Sequence, residues 1–187
     1  MANKRITDLT AATSVTGAEV FPFDNATPNS RKITAANLAR SMAVLQFRGA
    51  LVKKSVDQTA ANYTAGANIA WDAEEYDTDS IHDLVTNNSR LTVPSGASYV
   101  RLSSGVRINN ITADTYARLL ITKGGANAIG MGQTQVEAGT TTLYASVISS
   151  VVAVSAADYF EINLTSETDN SIDIIAAQSW FAMEIIA

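Results

Sequence analysis

The sequence predicts an all-β protein: a β-sandwich preceded by an extended N-terminal arm and one short helix. Three observations carry this. Apolar residues alternate with period two, Phe160, Ile162 and Leu164 against Tyr159, Glu161 and Asn163, and Phe181, Met183 and Ile185 against Trp180, Ala182 and Glu184. Such runs recur at spacings of about ten residues, separated by Gly, Asn and Asp, which is the cadence of a sandwich. Finally, 187 residues that are 47% hydrophobic, 17% charged and without cysteine must draw stability from packing or assembly, not from disulfides.

The elements follow in order. Residues 1–33 read as an extended arm. Its apolar residues Ile6, Leu9, Val15, Val20, Phe21 and Phe23 keep neither helical nor strand period, and Gly17, Pro22 and Pro28 interrupt any long element. Apolar side chains in an irregular segment need a surface to lie on, so Ile6, Leu9, Val20, Phe21 and Phe23 are the candidate attachment residues. Residues 34–48 read as a short helix, with Thr34 as N-cap and Gly49 as stop. Leu38, Met42 and Leu45 form one apolar seam along it. A helix this short is marginal alone, which makes the seam a candidate neck between copies of the chain.

Residues 49–187 form the head. Trp71 to Leu102 reads as a strand, an exposed acidic loop, a short strand closed by Pro94, a turn and another strand. Val100 and Leu102 continue as Val106 and Ile108 across Ser104-Gly105, where a bulge or turn is expected. Tyr116–Ile121, Thr142–Ile148 and Ile172–Ile175 are further strands. The glycine cluster from Gly124 to Gly132 lacks the G-K-[ST] ending of a phosphate loop and reads as a strand connection. The uncharged stretch 138–157 is broken by Thr and Ser, and its β-branched content reads as two buried strands, not a membrane span.

Little in the sequence asks for catalysis. Net charge is −5, and basic residues occur as isolated pairs, so no stripe is present to displace counterions from a nucleic acid. No apolar run follows Met1-Ala2-Asn3-Lys4-Arg5, so no signal peptide is expected. The single histidine, His82, falls in the acidic loop and is expected to be solvated; no G-x-S-x-G motif supports a triad. Glu74 and Glu75 are adjacent and would point to opposite faces of a strand, so they do not converge as a glycosidase pair would. Asp77, Asp79 and Asp83 are candidate calcium ligands, although His82 and Asn88 occupy the sixth and twelfth positions where an EF-hand needs Gly and Glu. No other cofactor is expected.

Several motifs in the head resemble the C1q/TNF-like jelly roll. Ile69-Ala70-Trp71 matches its early aromatic strand, and Glu75-Tyr76-Asp77-Thr78-Asp79 its acidic loop. Arg90, Thr92, Val93, Pro94, Gly96 and Tyr99 match "R-x-T-V-P-x-x-G-x-Y" with one extra residue before the tyrosine. Asp158-Tyr159-Phe160-Glu161-Ile162 matches "G-D-Y-F/V-E-L", with Ala157 in place of the glycine, and Trp180-Phe181 the closing strand. The resemblance implies a homotrimeric binding head, and calcium sites in some C1q-like heads prompt the metal reading above.

The arm resembles the leader of tailed-phage fibre and decoration proteins, roughly "K-I-S-D-L-P-A-A-x-x-L-x-G-x-E-x-x-P-V…K-x-T-x-x-x-L". Ile6, Asp8, Leu9, Ala11, Ala12, Gly17, Glu19, Pro22, Lys32, Thr34 and Leu38 match it, and Thr10 stands where a proline is usual. That likeness implies a virion protein bound through its arm to capsid or tail proteins, with a host-surface glycan as a further partner. A capsid-reinforcing protein, a free carbohydrate-binding module and a small glycan hydrolase are the alternatives.

Overall fold

In a computed structural model of the protein, the described residues are 20–22, 32–34, 47–112, 115–137, 141–167, 171–176 and 178–186. The chain divides into Met1–Gln46 and Phe47–Ala187. Within the first unit, β1 (Val20–Pro22) pairs antiparallel with β2 (Lys32–Thr34), setting Val20 opposite Thr34 and Phe21 opposite Ile33. Thr34, expected to cap a helix, closes β2. The body of that helix, with Leu38, Met42 and Leu45, lies outside the described residues, as do Ile6, Leu9 and Phe23.

The second unit holds β3 (Gly49–Lys53), β4 (Gln58–Ala61), β5 (Ala67–Asn68), β6 (Ala73–Asp77), β7 (Arg90–Thr92), β8 (Tyr99–Asn109) and β9 (Tyr116–Lys123). It continues with β10 (Asn127–Gln135), β11 (Thr142–Ile148), β12 (Val152–Ala153), β13 (Tyr159–Ser166), β14 (Ile172–Ile174) and β15 (Trp180–Ile185). Five strands form one sheet, β10-β9-β13-β5 with β7 also on β13. Eight form the other, β4-β14-β8-β15-β3-β6, with β11 and β12 on β8. All pairings are antiparallel.

The 11-residue β8 organises the larger sheet. One edge carries β15 and then β14; the other carries β12 and then β11. It runs unbroken through Ser104-Gly105, where an interruption was expected. The reason is Trp180, whose indole lies on Gly105 so closely that a Cβ there would sit 2.8 Å from Nε1, while Ser104 Oγ donates to the Trp180 carbonyl at 2.7 Å. Glycine and serine serve the neighbouring strand here, not a bend.

Alternation places the core between the sheets. Leu119, Ile121, Phe160, Ile162 and Leu164 face Leu102, Val106, Ile108, Phe181 and Met183, and each is fully or almost fully buried. Burying one such side chain contributes about 1.5–3 kcal/mol. Trp71 packs beside Phe181 with ring centroids 6.1 Å apart. Stretch 138–157 supplies two strands, but they are not both buried as expected: β11 turns Leu143, Ala145 and Val147 inward, whereas the two-residue β12 only half-buries Val152 and exposes Ala153.

The glycine cluster departs from its expected role as a connection. Gly124 and Gly125, at φ 65° and 77°, make the β9–β10 turn. Gly130 and Gly132 instead lie within β10, where a Cβ would meet the backbone of Ile148 and Ser146 respectively. Missing side chains let β10 of one sheet cross close over β11 of the other.

Candidate functional site

The acidic segment is partly a strand. Ala73–Asp77 is β6, paired with β3, so Glu74 and Glu75 do point apart: Glu74 meets His82, and Glu75 forms an ion pair with Lys53. The loop proper runs from residue 78 to 89, and Asp77 folds it. Its Oδ1 accepts the backbone N–H of Ile81 (2.9 Å) and Asp79 (3.2 Å), and its Oδ2 that of His82 (2.9 Å). A carboxylate satisfying three amides in this way replaces secondary structure as the loop's scaffold.

His82 is the main correction. Expected in solvent, its side chain is fully buried, with Nδ1 2.9 Å from Glu74 Oε1 and Nε2 3.1 Å from the Asn88 carbonyl. A backbone bridge to Leu91 and the Thr92 N–H donated to the Ile81 carbonyl (2.7 Å) lash the loop to β7. With both ring nitrogens engaged and no hydroxyl among their partners, His82 is a structural pin.

The three candidate calcium ligands are engaged separately. Asp77 holds the loop. Asp79 forms a forked pair with Arg48, whose Nη2 reaches Oδ1 at 2.7 Å and whose Nε reaches both oxygens at 3.1–3.2 Å. That guanidinium, with help from the Thr78 hydroxyl, holds the Asp79 carboxyl below its usual range. Asp83 Oδ1 accepts the N–H of Val85 and Thr86, both at 2.9 Å, and these amides lower its pKa. Among the described residues no three His, Asp or Glu side chains gather as a metal site needs.

Beneath the loop lies a charge that alternation alone disguised. Glu161 was read as an outward residue of β13, yet it is 3% exposed. Its Oε1 accepts from Ser89 Oγ at 2.7 Å and from Arg90 Nε at 3.3 Å. The Arg90 guanidinium carbon sits 4.1 Å from the centroid of the Tyr159 ring. The signal was present in "S-R-L-T-V-P" and "D-Y-F-E-I": a strand residue facing outward is buried when a covering loop brings its counter-ion. Ala157, at φ 70°, completes this end of the molecule by donating its N–H to the Val93 carbonyl at 3.0 Å. Next to it, Lys123 and the Ser155 N–H lower the pKa of Asp158.

Loop, β7 and the 157–159 turn border an open surface cavity of about 360 Å³. A second surface feature is the outer face of the eight-stranded sheet, where strand register aligns Tyr76, Leu51, Ala182, Ser103 and Ile148 in one row. The adjoining row is Lys53, Trp180, Gly105 and Ser146. Ile148 is 66% exposed and Met131 beside it 64%, so this face presents apolar side chains to its surroundings. Of the attachment candidates, Val20 and Phe21 lie on β1.

No protein-family model and no curated protein matches the sequence. Solved structures do. Murine APRIL aligns with TM-score 0.57 and 7% identity, covering 75% of this chain and 99% of that one. The globular domain of zebrafish complement 1qA aligns at 0.55 and 10%, covering 76% and 98%. Eiger TNF from S. frugiperda aligns at 0.54 and 8%, covering 75% and 93%. At such identities the likeness speaks for backbone architecture, and the head is a C1q/TNF-like jelly roll.

Proposed function

We propose that the chain is a non-catalytic virion protein of a tailed phage, a trimeric fibre or capsid-decoration protein. Its arm, residues 1–33, binds capsid or tail proteins, and its jelly-roll head is displayed toward the host surface. The observation that carries the assembly is the outer face of the eight-stranded sheet. An apolar row from Tyr76 to Ile148, crossing the small residues Ala182 and Ser103, lets another sheet face approach closely. Charges of both signs, Lys53, Arg101 and Glu184, lie on the same face and suit contact with copies of itself. The leader motif supports the virion setting.

Light scattering tests the assembly: the expected mass is three times the 19.8 kDa chain. Ile148→Glu, at a 66% exposed site, should leave the fold intact and yield monomer. A wild-type monomer at micromolar concentration would overturn the trimer. Replacing Phe21 and Phe23 with serine should leave the trimer unchanged and abolish incorporation into phage particles. Incorporation at the wild-type level would overturn the role of the arm.

A further inference from the structure

The geometry points to a saccharide-binding site in the cavity between the 78–89 loop and the 157–159 turn, taking the hydroxyls of a pyranose ring through Arg90, Asp83 and Asn87. As a host-contact site it rests on the display reading above; as a binding site it stands on its own geometry.

Backbone conformation first marks the place. Four described non-glycine residues adopt positive φ, and three of them, Ser80 (55°), Asn87 (58°) and Ala157 (70°), line this one cavity. Strained backbone persists where surrounding structure over-determines it, and it concentrates at ligand sites. Here Asp77, buried His82 and the Arg90–Glu161 contact supply that over-determination.

The available atoms then set the ligand class. Arg90 spends Nε on Glu161, and among the described residues Nη1 and Nη2 have no hydrogen-bond partner. Its guanidinium carbon stands 4.1 Å from the centroid of the Tyr159 ring, and both residues line the same pocket. Asp83 spends Oδ1 on two amides, and Oδ2 has no partner among the described residues. Asn87, Ser80 and Thr86, each with a polar side chain, line the same cavity. A sugar hydroxyl both donates and accepts, so a wall offering donors beside an ionised acceptor matches it.

Rival ligands fit less well. A phosphate would meet the Asp83 carboxylate and a guanidinium already shared with Glu161. An apolar ligand would strand the polar wall without partners. At about 360 Å³ the cavity is near the lower end of the ~300–1,000 Å³ of small-molecule sites, a size for a sugar unit and its linkage, not a large cofactor.

Saturation-transfer NMR on the full chain tests this with methyl glucoside, methyl galactoside, N-acetylglucosamine, glucuronate and inorganic phosphate as probes. The expected result is saturable, millimolar binding of at least one pyranose. Asn87→Gly keeps the left-handed backbone and removes the amide, while Asp83→Asn retains an oxygen for the two amides and removes the charge. Each should weaken binding by about tenfold, as loss of a hydrogen bond to a charged or polar ligand group does. Ile148→Glu, on the far sheet face, should not change it. Binding of phosphate alone, no binding by any pyranose, or binding indifferent to both cavity variants would overturn the site. A trimer that binds no sugar would remove this site and leave the assembly standing; a monomer that binds sugar would do the reverse.

Discussion

Gly132 in β10 lies so close to Ser146 in β11 that a Cβ would fall 1.9 Å from the Ser146 carbonyl oxygen. The obstruction is backbone, so no rotamer change relieves it. Gly132→Ala must push β10 away from β11 and open the junction between sheets. The expected loss is about 2 kcal/mol, within the range for overpacking, read as a lower urea midpoint. Gly124→Ala meets no such obstruction, but its φ of 65° makes it costly by strain instead, by about 1 kcal/mol.

Glu161 and Arg90 form an asymmetric pair, the carboxylate 4% exposed and the guanidinium 35%. Arg90→Ala leaves a buried carboxylate with, among the described residues, only Ser89 to answer it and should cost about 3 kcal/mol. Adding Glu161→Gln removes the stranded charge and should restore part of that loss. A double variant no more stable than Arg90→Ala would refute this account of the pair.

Ala157 occupies a left-handed position that favours glycine. Ala157→Gly should stabilise the protein by about 1 kcal/mol, the relieved strain exceeding the added chain entropy. Thermal unfolding of the two proteins side by side is sufficient to detect it.

Asp79 and Asp158 have carboxyl groups held below the ordinary 3.8, by Arg48 and by Lys123 respectively. Because the folded state lowers these values, their stabilisation is complete above pH ~4 and is lost as pH falls below it. Melting temperature should therefore drop through the acid range. Asp79→Asn should show a shallower drop, having already surrendered its share at neutral pH.

Calcium at millimolar concentration should leave the melting temperature unchanged. Asp77, Asp79 and Asp83 are each committed to separate amide or guanidinium partners, and gathering them would dismantle the loop. A rise of several degrees with calcium would show that the loop rearranges around the ion.

The strands with two-residue alternation were legible from sequence because one face of each meets the core: Phe160, Ile162 and Leu164 on β13, Leu143, Ala145 and Val147 on β11. Readings failed where a residue served a neighbour distant in sequence. Gly105 reads as a breaker until Trp180, 75 positions later, is seen lying on it. His82 reads as solvent-exposed until Asp77 turns the loop back over it. Glu161 and Arg90 were both noted as motif residues, but only the covering loop makes them a buried pair. The cavity inherits the same difficulty, since its walls come from segments some 70 residues apart.

Strand β15 lies between β3 and β8, pairing with both. Among the described residues the last strand in sequence is thus an interior strand, and the earlier of its two partners begins at residue 49. The sheet cannot close until Trp180–Ile185 is in place, so its closure waits on slow long-range pairing. Until then β3 and β8 wait with open edges, each able to recruit a foreign strand. Deleting Trp180–Ile185 should therefore leave two unpaired interior edges and favour aggregation over a trimmed head.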